Sequence, residues 1–288
     1  MMETGLASKR ALVTGGASGI GRAIALALID EGVAVAIVDH SPADETLGNV
    51  RLTIELGDER ASVEAVGKAS AALGGLDLLV NAAAIARHEA TTRLTPEAWR
   101  ATLDSNLAAC AWTCREAARR MIDGGGGGSI LVIGSTSVYT PLAGEASYRA
   151  SKAALKAYVQ VLALELAPFG IRVNILTPGA FQTPLTAGMT SKRREQLLRE
   201  IPLGREGVPS ELCATALLLL SHRLSPYTTG AEFVVDGGLS LRPMPFYDAN
   251  ALRRLNDRVH GPTPAGPRRT EPGSHDRGLP ALGGDCAG

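Results

Sequence analysis

The chain has 288 residues, 45% hydrophobic and 20% charged, with 29 Lys+Arg balancing 29 Asp+Glu. That size and apolar content suffice for one large domain with a buried core, and zero net charge lacks the basic excess that nucleic acid or an anionic membrane would call for. No apolar stretch reaches the roughly 20 residues of a bilayer span, and the polar start from Met1 to Arg10 leads straight into a core strand, so no signal peptide is expected.

In chain order, Ala11-Leu12-Val13 predicts a strand and Gly19 to Asp30 a helix. Val33 to Val38, rich in β-branched residues, predicts a second strand, and Leu52 to Glu55 a short third. Ser41-Pro42 and Gly48 between them leave room for a turn or two, not a full crossover helix. A helix over Glu59 to Leu73, a strand over Leu76 to Val80 and a long helix over Pro96 to Met121 follow. The five-glycine run Gly124 to Gly128 reads as a flexible surface loop, ahead of a strand over Ser129 to Gly134. The rest is a helix over Ala146 to Ala167, a strand over Ile171 to Leu176, a helix over Pro209 to Ser221 and a last strand over Glu232 to Val235. Alternating helices with near-continuously apolar strands imply an α/β fold, a doubly wound parallel sheet of about seven strands covered on both faces. Its ligand belongs outside the carboxyl ends of the strands. The alternation stops at Pro245. Residues 1–244 are therefore expected to form one α/β domain. Residues 245–288 are an extension, a short amphipathic helix over Asp248 to Val259 and then a disordered Gly-, Pro- and Arg-rich stretch.

Cys110, Cys114, Cys213 and Cys286 show no disulfide or zinc spacing. Cys110 and Cys114 lie one helical turn apart, but no His or carboxylate nearby completes a metal site, so no metal is expected. Unpaired thiols fit a reducing cytoplasm.

The cofactor end is marked by Thr14-Gly15-Gly16-Ala17-Ser18-Gly19-Ile20-Gly21, which joins the first strand to the first helix. Glycines let the backbone turn tightly and approach a pyrophosphate, and the helix N-terminus offers free N–H groups and a positive dipole end. Asp39 ends the second strand, where a carboxylate suits the ribose hydroxyls of NAD and repels the 2′-phosphate of NADP. Neither Arg nor Lys follows within the next few residues. Tyr148 and Lys152, four residues apart, share one helical face. A cation beside a phenol lowers its pKa from about 10 toward neutrality, giving a usable general base.

With Asn106, Ser135, Pro178-Gly179 and Asp236-Gly237-Gly238 in order, the chain from about Lys9 to Leu241 resembles the short-chain dehydrogenase/reductase family. The resemblance implies a single Rossmann-like domain, a nicotinamide cofactor and hydride exchange between an alcohol and a carbonyl. It makes Tyr148 the acid/base and has Ser135 hydrogen-bond the reacting oxygen. Lys152 tunes Tyr148 and holds the nicotinamide ribose. Asn106, a mediocre residue inside a helix, is expected at a kink that feeds a proton relay. Gly15, Ser18, Gly19, Ile20, Gly21, Asp39, Asn81, Ala83, Pro178, Gly179, Phe181 and Thr183 match cofactor-binding positions, and Val38 lines the adenosine path. Three departures stand out. Asn81-Ala82-Ala83-Ala84 replaces the usual Asn-Asn-Ala-Gly, Glu55 replaces an aspartate after the third strand, and the second crossover is short.

Family pocket positions fall on Thr136, Ser137, Leu142, Ala143, Glu145, Ala180 and Pro184 to Leu203, the last resembling a mobile lid. Their mixture of hydroxyls, one carboxylate and small apolar groups favours a sugar, polyol or small hydroxy compound. A 3-oxoacyl-thioester reductase, which shares the scaffold, is the alternative, with Arg193, Arg194 and Arg199 as its basic surface; a non-catalytic nucleotide sensor or scaffold is a third reading. A homotetramer is expected, from the resemblance and from surplus small and apolar residues on the two long helices (Ala108, Ala109, Cys110, Ala111; Ala153, Ala154, Ala157).

Overall fold

The computed structural model describes residues 3–241; the extension expected from residue 245 lies outside them. Among the described residues, parallel strands β1 (Arg10–Thr14), β2 (Ala34–Asp39), β3 (Val50–Thr53), β4 (Leu78–Asn81), β5 (Gly128–Ile133), β6 (Ile171–Pro178) and β7 (Glu232–Val235) form a seven-stranded sheet in the order β3-β2-β1-β4-β5-β6-β7. The order reverses direction between β1 and β4, the point where such sheets open a ligand crevice. Register aligns Thr14 with Val38 on one side and with Asn81 on the other, so the carboxyl ends of the central strands form a level rim.

Successive strand residues feed opposite faces. Leu12, Leu79 and Ile130 pack under α2 (Glu59–Leu73), α4 (Ala109–Asp123) and α5 (Ala146–Leu166). Val13, Val80 and Leu131 pack under α1 (Gly19–Asp30) and α7 (Cys213–Leu220). Caps fix the helix ends. The Asp58 carboxylate accepts from Ala61 N at 2.7 Å to start α2, and Gly74, left-handed at φ 73°, stops it. Thr95 caps α3 (Pro96–Leu103), with Pro96 in the first turn.

Four sequence expectations need correction. The long helix over Pro96–Met121 is two helices, α3 and α4, joined by a π-helical turn over Asp104–Ala108 that contains Asn106; the kink falls where Asn was expected to place it. β3 starts and ends two residues earlier than Leu52–Glu55. The five-glycine run is only partly a loop, since Gly124 caps α4 and the buried Gly128 opens β5. A helix that the apolar pattern does not reveal, α6 (Ser191–Glu200), crosses the expected lid with none of its residues buried. Between β2 and β3 there is no crossover helix, as the sequence indicates. No helix among the described residues is long and apolar enough to cross a membrane.

Candidate active site

The turn after β1 brings Gly15 against the chain that follows β4. A Cβ on Gly15 would lie 2.7 Å from Ala83 N, and one on Gly21 would collide with the Gly15 carbonyl oxygen. Only glycine permits this packing, which seats the start of α1 on the rim. Ser18 occupies the N-cap without a side-chain cap bond, so its hydroxyl leaves the first N–H groups of α1 free. Thr183 and Pro184 face Gly19 across the turn, while Ile20 packs toward the core. Such a glycine turn at an uncapped helix N-terminus is suited to an anionic group.

Asp39 is buried at the end of β2. Its carboxylate accepts from Ala17 N at 3.0 Å and from Ser41 N at 3.1 Å, and pairs with His40 Nδ1 at 2.9 Å. It therefore braces the glycine turn, a role the sequence did not reveal. His40 also went unnoticed. Arg22 and Arg51 lie within Coulombic reach of Asp44, whose carboxyl is held below its ordinary value, first by Thr46 hydrogen bonds. Glu55 is exposed beyond β3.

Asn81 turns inward. Its amide donates to Thr113 Oγ1 at 2.5 Å, and its carbonyl accepts from Thr14 Oγ1 at 3.0 Å. The Thr14 hydroxyl also receives Ala82 N and Ala83 N. The Asn81 side chain thus holds β1, β4 and α4 together, and its neighbour Ala83 borders the glycine turn.

The catalytic candidates meet where β5 ends. Ser135 follows β5, and its Oγ accepts from Ser137 N at 3.2 Å while hydrogen-bonding the Tyr148 phenol on the first turns of α5. Lys152 is buried, its Nζ donating to the Ile133 carbonyl at 2.8 Å and standing 5.8 Å from the centre of the Tyr148 ring. Burial pushes this ammonium down to about 8. The phenol departs from expectation. Burial holds the Tyr148 pKa above its ordinary value, Ser135 pulls it down and the Glu145 carboxylate raises it further. Lys152 Nζ donates to the Ile133 carbonyl and makes no hydrogen bond to the phenol among the described residues. Asn106 is also buried: its amide donates to Ile85 O at 2.9 Å and Ser151 Oγ at 3.1 Å, and its Oδ1 accepts from Ile85 N at 2.8 Å.

Pro178 and Gly179 close β6, Gly179 N donating to Val235 O at 2.9 Å. Phe181 is buried in the core beneath the lid and bridges to Gly207, and the Thr183 backbone is held by Thr186 Oγ1 at 3.1 Å. In the pocket, the Ser137 hydroxyl is buried with no hydrogen-bond partner among the described residues. The half-buried Glu145 lies 3.6 Å from His88 Nδ1; burial raises its carboxyl, against His88 and the Arg193 of α6. Among the described residues, no group of three or more His, Cys, Asp or Glu is placed to hold a metal ion.

Comparison with known proteins agrees with this geometry. The family model described as enoyl-(acyl carrier protein) reductase matches residues 15–240. L-xylulose reductase of Mesocricetus auratus is 36% identical over 245 residues, 82% of this chain and 98% of the relative. The chain belongs to the short-chain dehydrogenase/reductase family. A solved short-chain type dehydrogenase/reductase from Mycobacterium marinum, 34% identical, superposes with a TM-score of 0.75 over 82% of this chain and 97% of its own. So does a putative 2-deoxy-D-gluconate 3-dehydrogenase from Agrobacterium tumefaciens with bound NADP, 30% identical, at 0.78 over 84% and 100%. Like others of the short-chain dehydrogenase/reductase family, this protein is an oxidoreductase that exchanges a hydride between a secondary alcohol and its ketone using a nicotinamide cofactor.

Proposed function

We propose that the protein oxidises or forms a compact polyhydroxylated secondary alcohol, a sugar or polyol, with NAD as its preferred cofactor. The observation that carries the substrate reading is the pair of polar groups beside Tyr148, the unpartnered Ser137 hydroxyl and the half-buried Glu145 carboxylate. Both are largely withdrawn from water, and a ligand with several hydroxyls would supply the partner that Ser137 lacks and a hydrogen-bond donor to Glu145, whose neighbour His88 stands at 3.6 Å. The names of the L-xylulose reductase and gluconate-type relatives support the same class. The NAD preference rests on Asp39; Arg22 and Arg51 lie within Coulombic reach of the carboxylate of Asp44.

In this reading Tyr148 donates its proton to the ketone oxygen, or takes it from the alcohol, while Ser135 hydrogen-bonds the same oxygen. The dinucleotide supplies or accepts the hydride. Gly15, Ser18, Gly19, Ile20 and Gly21 cradle its pyrophosphate, Asp39 faces its adenosine ribose, and Pro178, Gly179, Phe181 and Thr183 border its nicotinamide side. Lys152 holds the nicotinamide ribose. The Asn106 side chain is spent on Ile85 and Ser151, so its contribution to proton relay runs through the π turn's backbone. Residues 1–244 form the catalytic domain. The homotetramer and the cytoplasmic location belong to the same proposal. Ala153, Ala157, Val161 and Leu164 form an exposed apolar line along α5, with Leu164 78% exposed, the kind of face that a second subunit covers.

The thioester alternative loses part of its basic surface, because Arg194 pairs with Glu206 at 3.1 Å and Arg199 with Glu195 at 2.7 Å. A panel of sugars, polyols and 3-hydroxyacyl esters, followed by reduced-cofactor absorbance, tests the reading. The highest kcat/KM is expected on a sugar or polyol; a hydroxyacyl ester at the top of the panel would refute it.

A further inference from the structure

A second polar cluster lies next to the catalytic one and is absorbed by none of the roles above. Glu232, in edge strand β7, has a side chain only 16% exposed. Its Oε1 accepts from Thr177 Oγ1 at 2.6 Å, and its Oε2 accepts from Lys156 Nζ at 2.7 Å and from the Tyr139 hydroxyl. Lys156 Nζ also donates to the Tyr139 hydroxyl oxygen at 2.6 Å and stands 4.9 Å above its ring.

The members sit beside catalytic candidates on separate elements. Tyr139 comes four residues after Ser135, at the end of the 3-10 turn Thr136–Val138. Lys156 follows Lys152 by one turn of α5. Thr177 precedes Pro178, and its hydroxyl lies 2.6 Å from where a Cβ on Gly134 would stand, just before Ser135. The Ser135 turn is otherwise held at Val138 O, which accepts from Arg149 Nη2 at 3.0 Å, and at the Thr136 carbonyl. A glutamate in the four-residue strand Glu232–Val235 is costly to desolvate unless its donors are fixed, and here three donors from three elements meet it.

We propose that Tyr139, Lys156 and Glu232 are positioning residues that set the Ser135 hydroxyl for its hydrogen bond to the substrate oxygen. The network touches neither substrate nor cofactor. It fixes the far end of the turn that begins at Ser135, and it ties that turn to α5, which carries Tyr148. The inference rests on the proposed role of Ser135, not on the sugar reading.

A double-mutant cycle on the full chain tests it, with 2,3-butanedione as the ketone probe and saturating NADH or NADPH. Tyr139→Phe and Glu232→Gln should each lower kcat about tenfold, with the cofactor Kd by fluorescence within about twofold of wild type. In a Ser135→Ala background, Tyr139→Phe should change kcat less than about twofold, since the hydroxyl it positions is gone. A general brace of the fold would instead give the same fold-loss in both backgrounds, and that result overturns the proposal. So does retention of at least about half of wild-type kcat in both single variants. If Ser135→Ala alone is as active as wild type, the proposal falls together with the role of Ser135, and the single-variant result shows which failed. Should Tyr139→Phe not fold, the same cycle with Glu232→Gln decides.

Discussion

The two rims of the sheet handle their polar groups in opposite ways. At the amino ends of the strands, two arginines are tied down. Arg10 makes two hydrogen bonds to Asp77, at 2.8 and 2.9 Å, and a third to the Gly74 carbonyl that ends α2. Arg172 is buried without a carboxylate. It donates to the Leu219 and Leu220 carbonyls at the end of α7, to Thr228 O and to the Ser129 and Ser225 hydroxyls. Both arginines cap the negative ends of helices. At the carboxyl ends, among the described residues, the positive end of α1 has no side-chain cap, Ser137 has an unpartnered hydroxyl, and Lys152 is buried with no acidic partner. In a parallel α/β sheet all helices point the same way, so one rim collects carbonyls and the other collects N–H groups. The first rim is closed with arginine; the second is left open for an anionic dinucleotide and a polar substrate. Stability and chemistry are thereby sorted by position in the fold.

The widest expected effect tests the open rim. Tyr148→Phe should lower kcat by about 10²–10⁴-fold with cofactor affinity and melting temperature near wild type; retention of more than about a tenth of the wild-type rate would refute the acid/base assignment. At the closed rim the balance should invert. Arg172→Ala removes a donor from three carbonyls; Leu219 O keeps Ser129 Oγ and Thr228 O keeps Asn174 Nδ2, while Leu220 O loses its side-chain donor, so the change should cost about 1–3 kcal/mol in urea unfolding, with kcat per folded molecule unchanged. A large kcat loss without a stability loss would erase the distinction between the rims.

Lys152→Met sharpens it further. Burial lowers the folded-state pKa to about 8 from 10.5, so the charged form is disfavoured by folding. The penalty is full below about pH 8 and fades as pH rises toward the unfolded value. The variant should therefore be more stable than wild type by about 1–3 kcal/mol at pH 7, an advantage that shrinks between pH 8 and 10.5, while activity collapses. Equal stability at pH 7 would show that the ammonium is satisfied where it lies. The smallest effect concerns cofactor choice. Wild type should favour NAD over NADP by at least about tenfold in kcat/KM, and Asp39→Ala should narrow that gap. Because Asp39 also holds Ala17 N, the variant should weaken binding of both cofactors; a change in preference with undiminished NAD affinity would count against the bracing role.

The strands and most helices were legible because their apolar residues are short, nearly continuous runs between periodic segments. α6 was not: Ser191–Glu200 buries nothing, so no apolar stripe announces it. Its local signals were Thr190, which caps Arg193 N, and the Glu195–Arg199 pair one turn apart. Among the site residues, spacing puts Tyr148 and Lys152 on one helical face and the family resemblance puts Ser135 beside Tyr148, but neither tells which acceptor a long side chain chooses. Lys152 takes the Ile133 carbonyl and Asn81 takes Thr113, both contacts across more than 18 residues of chain that only the folded sheet brings together. Glu232 is a further clue in the sequence. An acidic residue in a short strand demands a partner from elsewhere, and it has three.

The glycine run has a practical consequence. Gly125 and Gly126 have open space around them, with nothing within 4 Å of an added Cβ. They precede β5, whose six residues span about 20 Å to the end where Ser135 follows. A peptide inserted between them would grow away from the rim that does chemistry. Such an insertion offers a point for anchoring the enzyme to a resin or an electrode with its cleft facing the solution.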